Sequence, residues 1–204
     1  MTTQNELFNS YEVPQGLLDE VYTKFDNSFS DYTLIKDLFH SLSSTDFQQL
    51  NEYAKLSFMN QGITYAVYNE SSQGTEKIFP FDLFPRVIHH EEWASLEQGL
   101  VQRNLALNMF LKDVYGHQQI LKDKVIPEVL VKSSPHYCEF MQGFSPVADI
   151  FCHICGTDLI RHNDGNFYVL EDNLRCPSGV SYVLSNRETM RRTLSDVFRT
   201  MSVE

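Results

Sequence analysis

Asp158, Glu171 and Asn173 are the residues whose types and spacing are best suited to chemistry. They flank the dipeptide Asp164-Gly165, which between two strand-like runs is typical of a β-hairpin with a two-residue turn. A turn of that length would place Asp158 directly opposite Glu171, with their Cβ atoms about 5 Å apart. Asn173 lies two residues beyond Glu171, so it would share the same face of the sheet.

Two opposed carboxylates repel each other unless a proton or a cation neutralises them. A shared proton would make an acid–base dyad. A hard divalent cation would instead take both carboxylates and the Asn173 carbonyl oxygen as ligands, and Mg²⁺ in proteins commonly binds through one or two carboxylates together with phosphate oxygens. A loop longer than two residues would shift the strand register and break the alignment. The two acids could also simply face water. The residues alone leave these alternatives open.

Cations stand close to these acids in the sequence. Arg161 and Arg175 could hold an anion beside a bound metal ion, because guanidinium groups suit bidentate contacts with phosphates and carboxylates. The loop at 174–179 adds Ser178 and a glycine, which are typical of an anion-binding loop. There is neither a Walker A motif nor a GxGxxG motif, so this loop is a weak signal alone.

A second candidate site is the run Cys152-His153-Ile154-Cys155, whose spacing resembles half of a zinc site. On a strand, residues three apart point to opposite faces, which is poor geometry for one tetrahedral ion. The sequence contains no second Cys-x-x-Cys motif to complete the site. We therefore predict that these cysteines are reduced thiols packed in the core.

The elements that must position these residues indicate an α/β (α+β) architecture, with a helical N-terminal region followed by a mainly antiparallel sheet and flanking helices. We predict a boundary between residues 1–62 and 63–204. Thr45 and Gln48 have the spacing of a helix capping box. Periodicity predicts strands at 63–68, 149–160 and 166–173, and helices at 90–115 and 188–201.

Composition narrows the class of protein. The 204 residues carry a net charge of −11, which argues against nucleic acid or an anionic membrane as the main partner. No apolar stretch is long enough to span a bilayer, and the N-terminus does not resemble a signal peptide. We therefore expect a cytoplasmic protein.

Several segments resemble the circularly permuted ATP-grasp proteins (type 2), relatives of glutathionylspermidine synthetase that are associated with bacterial peptide-modification gene clusters. The resemblance is specific in the hairpin region and runs from about residue 60 to the end. The segments that carry it are GTEKIFPFDLFPRVI (74–88), FLKDVYGHQQIL (110–121), VIPEVL (125–130) and GTDLIRHNDGNFYVLEDNLRCPSGVSYVLSNR (156–187).

The resemblance implies a Mg²⁺- and ATP-dependent ligase that activates a carboxylate as an acyl phosphate, which an amine then attacks. The family's metal ligands match Asp158, Glu171 and Asn173. Arg175 and Ser178 match its stretch after the metal ligands, so they are expected to contact phosphate or substrate, with Arg175 in a catalytic role. Arg86 is a further candidate for the same pocket. The expected substrates are small-molecule or peptide carboxylates and amines.

Family members are longer than this chain, and the part that clamps the adenine has no counterpart in it. We therefore expect the metal-ligand half of an ATP-grasp domain, with a C-terminal half or a partner protein supplying the rest, and no ligase activity from these residues alone. The alternative is a non-catalytic binding or scaffold relative in a peptide-modification system.

Overall fold

The computed structural model describes residues 7–8, 10–22, 32–69, 72–177 and 179–203, with the side chains of 66–75 left out. The chain forms two compact units, the first from 1–89, 161–168 and 178–204, the second from 90–160 and 169–177. The predicted boundary at residue 62 stays a prediction.

Within the described ranges the chain is a mixture of helices and short antiparallel strand pairs, which confirms the predicted α+β class. β1 pairs with β2, and β3 pairs with β4. In chain order the elements are α1 (Thr33–Ser41), α2 (Ser44–Asn60), β1 (Tyr65–Asn69), β2 (Ser72–Lys77), α3 (His90–Tyr115), α4 (Gln119–Lys122), α5 (Glu128–Lys132), β3 (Gly156–Arg161), β4 (Phe167–Asn173), α6 (Gly179–Thr193) and α7 (Ser195–Thr200).

An apolar cluster in the first unit joins α1 to the C-terminal segment of the chain. Ile35 and Phe39 lie one turn apart on α1 and are fully buried, because residues four apart share a helix face. Leu194 and Val197 cover them from the C-terminal helices, and Phe84 packs on the Phe39 ring at a centroid distance of 4.8 Å. Burial of each such side chain contributes about 1.5–3 kcal/mol to stability.

The capping box of α2 lies two residues earlier than the sequence suggested. Ser43 is the N-cap, and its hydroxyl accepts a hydrogen bond from Asp46 N at 3.1 Å. The Asp46 carboxylate accepts one from Ser43 N at 3.2 Å. The prediction of Thr45 as N-cap is wrong, because two capping motifs overlap here and the one ending in a charged Asp offers the stronger acceptor at the positive end of the helix.

In the second unit, α3 spans the range that periodicity predicted and ends at Tyr115, directly before Gly116. A Cβ atom at Gly116 would lie 2.6 Å from the Lys112 carbonyl oxygen, so only glycine fits this turn. The Asp113 carboxylate then caps α4, accepting hydrogen bonds from Gln119 N and Ile120 N, both at 2.9 Å. Val114 and Leu121 are the buried apolar side chains at this corner.

Two predicted boundaries are wrong. β3 begins at Gly156 rather than at 149, because Asn108 Oδ1 accepts hydrogen bonds from the backbone N–H groups of Phe151 and Cys152 at 2.9 and 3.0 Å, so the segment bonds to a helix side chain instead of a strand. The helix predicted at 188–201 is two helices, and α6 already begins at Gly179. Its first turns contain β-branched and aromatic residues, which mask the helical pattern.

No helix in the described part of the chain has both the length and the apolar character needed to cross a membrane.

Candidate metal centre

The hairpin that carries the predicted site closes with a three-residue loop. His162 N donates to Asn166 O at 2.9 Å, and Gly165 N donates to His162 O at 2.9 Å. Gly165 has a φ of +81°, the left-handed conformation that this loop type requires after its tight turn. The prediction of a two-residue Asp164-Gly165 turn is therefore wrong. The register next to the loop is shifted by one residue.

At the open end of the hairpin the strands face each other as the sequence predicted. Thr157 Oγ1 donates to Asp172 Oδ1 at 2.9 Å, and a Cβ atom at Gly156 would lie 3.6 Å from the Asn173 Cβ. Between these pairs and the loop, β4 has one residue more than β3. One extra residue on one strand is a β-bulge, a feature that is common beside functional sites.

The bulge lies near Leu170 and Glu171, because these consecutive side chains are both exposed where the alternation of β4 breaks. It restores the register that the longer loop had shifted. Glu171 and Asn173 flank Asp172, so they lie on the face opposite to the one that Asp172 shares with Thr157. Asp158, next to Thr157, lies on their face as well.

The three predicted metal ligands therefore share one face of the hairpin. Asn173 Nδ2 donates to Glu171 Oε1 at 3.1 Å, which turns the amide oxygen of Asn173 away from that bond and leaves it available. Asp158 and Glu171 are exposed, and the Asp158 carboxylate has no hydrogen-bond or ion-pair partner within the described residues. The role of the trio as metal ligands stays a prediction.

The donor set fits a hard divalent cation. It offers two carboxylates and one amide oxygen, the ligand types that Mg²⁺ takes in proteins, and leaves room for phosphate oxygens and water. Among the residues that the structure describes, no group of three or more His, Cys, Asp or Glu side chains could hold a metal. That finding does not bear on the trio, whose third donor is an amide.

Asp172 lies on the opposite face and is fully engaged. Its Oδ2 accepts a hydrogen bond from Arg103 Nε at 2.7 Å, its Oδ1 accepts one from Thr157, and its side chain is 8% exposed. Arg103 comes from α3, so this carboxylate ties β4 both to β3 and to the long helix. Sequence reasoning missed Arg103, because nothing in the sequence marks a partner sixty-nine residues away.

Arg175, the predicted phosphate-binding cation, is exposed just after β4. One of its guanidinium nitrogens lies 2.9 Å from His136 Nδ1, and the guanidinium is the donor of this contact. His136 is a second residue that the sequence did not reveal. Ser178 lies outside the described residues.

Arg161 and Arg86 are placed in the first unit, where they share the carboxylate of Glu20. Arg161 Nε lies 3.1 Å from Glu20 Oε1, and Arg86 Nε lies 3.5 Å from Oε2. The Arg161 side chain is 7% exposed and stacks over the Phe167 ring at 4.3 Å. A phosphate-binding role for these two arginines stays a prediction.

The cysteines are half-buried rather than in the core, so that part of their prediction is wrong. Cys152 Sγ lies 3.2 Å from the Leu174 carbonyl oxygen, and Cys155 Sγ lies 3.5 Å from Thr157 Oγ1. Burial, with the nearby Cys155, raises the pKa of the Cys152 thiol. A raised pKa keeps a thiol protonated and weakly reactive.

Comparison with known proteins identifies the fold to which this hairpin belongs. Residues 85–204 match the family model described as circularly permuted ATP-grasp type 2. The chain belongs to this ATP-grasp family. The resemblance predicted from the sequence is thereby confirmed, and members of the ATP-grasp family in general use ATP and Mg²⁺.

Relatives extend the match to the N-terminal region. An uncharacterized protein of Synechocystis sp. is 43% identical over 195 residues, which cover 96% of this ATP-grasp chain and 40% of the relative. An uncharacterized protein of Mycobacterium leprae is 41% identical over 199 residues, covering 96% of the chain and 34% of the relative. A putative glutamate–cysteine ligase of Frankia casuarinae is 37% identical over 131 residues, 64% of the chain and 15% of the relative. The chain thus spans about two fifths or less of these relatives.

Proposed function

We propose that this chain is the metal-binding portion of an ATP-dependent carboxylate–amine ligase. The observation that carries the proposal is the placement of Asp158, Glu171 and Asn173 on one face of the β3–β4 hairpin. In the proposed reaction a carboxylate oxygen takes the terminal phosphoryl group of ATP, which gives an acyl phosphate and ADP. An amine then attacks the carbonyl carbon, phosphate leaves with the C–O bond electrons, and an amide remains.

In this proposal Asp158, Glu171 and Asn173 would hold Mg²⁺, which when bound would offset the negative charge that develops on the phosphate during transfer. The two carboxylates supply the charge that attracts the cation. Asn173 supplies a neutral oxygen and holds the Glu171 carboxylate in place through their hydrogen bond. Placing ligands on a strand pair rather than on a loop fixes their spacing.

Arg175 is proposed to bind phosphate oxygens beside the metal ligands. Its guanidinium is exposed and already oriented by the contact with His136, so it loses little side-chain freedom on binding an anion. Ser178, Arg86 and Arg161 are proposed as further phosphate contacts. For the two arginines an incoming phosphate would have to compete with Glu20.

The proposed substrates are a carboxylate and an amine, free or on a peptide. The name of the Frankia relative, a putative glutamate–cysteine ligase, supports amino-acid substrates of that kind. A bacterial cytoplasmic setting with peptide modification is part of the same proposal.

We also propose that the part clamping the nucleotide is supplied by further chain or by a partner protein. An apolar stripe on α3 supports this. Val101, Leu105 and Met109 follow each other at helical spacing and are 53%, 62% and 71% exposed. Large apolar side chains aligned on one face usually mark a surface that another segment covers.

The experiment is to measure Mg²⁺-dependent ADP formation by an active, longer form that contains these residues, with a carboxylate and an amine supplied. Glu171→Ala should abolish the turnover while leaving the circular dichroism spectrum unchanged. Glu128→Ala, which removes another exposed glutamate of the same unit, should turn over normally. Normal turnover by Glu171→Ala would refute the assignment of the metal ligands.

A further inference from the structure

We propose that Arg103 and Thr157 are positioning residues that keep Glu171 and Asn173 on the cation-binding face. This inference rests on the proposed function. Both residues act through Asp172, the residue between the two ligands, whose carboxylate accepts hydrogen bonds from Arg103 Nε at 2.7 Å and Thr157 Oγ1 at 2.9 Å.

β3 and β4 can pair in two registers, one with the bulge in β4 and one without it. The loop, with His162 bonded to Asn166, starts a register that without a bulge would place Glu171 opposite Thr157. A shift of one residue moves every side chain of a strand to the other face. In that register Glu171 would point away from Asp158, and Asp172 would take its place.

The contacts of Asp172 select the bulged register. Thr157 Oγ1 reaches the Asp172 carboxylate only when the two residues are opposed, as they are here. Arg103 of α3 forms an ion pair with the same carboxylate, and the Asp172 side chain is only 8% exposed. Burying the Asp172 carboxylate without hydrogen-bond or ion-pair partners would cost free energy. The contacts with Arg103 and Thr157 therefore hold β4 in the register that places Asp158, Glu171 and Asn173 on one face.

Because Arg103 is positively charged, a positioning role and a simple charge effect predict opposite changes in cation affinity when Arg103 is removed. Removing a cation near Asp158 and Glu171 strengthens the attraction for a divalent cation if the ligands stay in place. A loss of cation affinity on removing Arg103 therefore reports displaced ligands. Thr157→Val removes a hydroxyl and no charge, so it tests the positioning alone.

The test is the binding of Mn²⁺, as a paramagnetic probe for Mg²⁺, to the 204-residue chain, followed by the loss of the free-ion electron paramagnetic resonance signal. Arg103→Ala and Thr157→Val should each weaken binding about tenfold, the lower end of the effect expected for residues that orient metal ligands. Arg103→Lys should recover part of the affinity. The matched control is Lys112→Ala, which removes a cation of the same helix that pairs with Asp149 at 2.6 Å. It should bind as the wild type does.

The outcomes are distinguishable. Wild-type affinity in both Arg103→Ala and Thr157→Val would overturn this inference and leave the proposed function standing. Tighter binding by Arg103→Ala would also overturn it, because it would show a charge effect without displacement. If the wild-type chain binds no Mn²⁺, or if Glu171→Gln binds it equally well, the proposed metal ligands are wrong and this inference falls with them. If Arg103→Ala fails to fold, the Mn²⁺ affinities of Thr157→Val and Arg103→Lys still test whether these two residues position the metal ligands.

Discussion

Asn173 Nδ2 donates a hydrogen bond to Glu171 Oε1 at 3.1 Å, between residues two apart on the same strand. This bond orients both side chains at once. The amide nitrogen is used on the carboxylate, which leaves the amide oxygen and the second carboxylate oxygen of Glu171 as acceptors on the face that Asp158 shares. Two adjacent strands thus present carboxylate and amide oxygen atoms, the donors that suit Mg²⁺.

The N-cap of α2 gives a direct test of how this helix begins. Ser43→Ala should lower the free energy of unfolding by about 1 kcal/mol, because it removes the acceptor for Asp46 N. Thr45→Ala, at the N-cap position suggested by the sequence alone, should change stability by less than about 0.5 kcal/mol. Urea unfolding of both variants measures the difference. A larger loss in Thr45→Ala than in Ser43→Ala would contradict the observed capping box.

Alanine substitutions at two glycines of the α3 region should change the free energy of unfolding in opposite directions. Gly116→Ala should cost about 1–3 kcal/mol, because its Cβ would lie 2.6 Å from the Lys112 carbonyl oxygen and the turn would have to move. Gly99→Ala should stabilise by up to about 1 kcal/mol, because it lies inside the helix and its Cβ would have nothing within 4 Å. Thermal or urea unfolding reports both changes. Equal effects would show that the turn after α3 is not as tight as described.

The phenol of Tyr32 should make the stability of the first unit fall at alkaline pH. Burial, together with the nearby Glu20 carboxylate, raises the pKa of Tyr32 to about 12 from its usual 10.0, although the bond from Val87 N opposes this. Unfolded Tyr32 ionises first as pH rises, so its contribution is fully present below about pH 10 and is lost progressively towards pH 12. The loss should be about 2–3 kcal/mol.

The measurement is urea unfolding of wild type and Tyr32→Phe from about pH 8 to about pH 12. The difference in unfolding free energy between them should shrink across that range, since the variant lacks the titrating group. Tyr53→Phe, an exposed tyrosine on α2, is the control and should show a constant difference from wild type. A constant difference for Tyr32→Phe would show that the phenol does not carry the pH dependence.

Much of the fold and of the site arrangement could be predicted from the sequence. The extent of α3 followed from its apolar spacing and Gly116, and the shared face of Asp158, Glu171 and Asn173 followed from strand alternation. The prediction of the shared face was correct only because two differences from the predicted hairpin cancel. The loop is one residue longer than predicted, and a bulge in β4 takes the extra residue up again.

What could not be predicted depends on long-range contacts. Arg103 reaches Asp172, His136 reaches Arg175, and Glu20 reaches Arg161, and each pair is distant in sequence. No local pattern encodes such pairs, because packing of whole elements brings them together. The capping of α2 was missed for the opposite reason, since two local motifs overlapped and only their relative energies chose between them.

Titration calorimetry with Mg²⁺ shows whether Asp158, Glu171 and Asn173 hold one divalent cation. We predict one Mg²⁺ site per chain. Binding should be lost in Glu171→Gln and in Asp158→Asn, and retained in Glu128→Gln, because the Glu128 carboxylate pairs with Lys132 instead. Each lost carboxylate removes both a ligand and a charge while keeping the shape of the side chain. Wild-type Mg²⁺ affinity in the Glu171→Gln and Asp158→Asn variants would show that these carboxylates are not metal ligands.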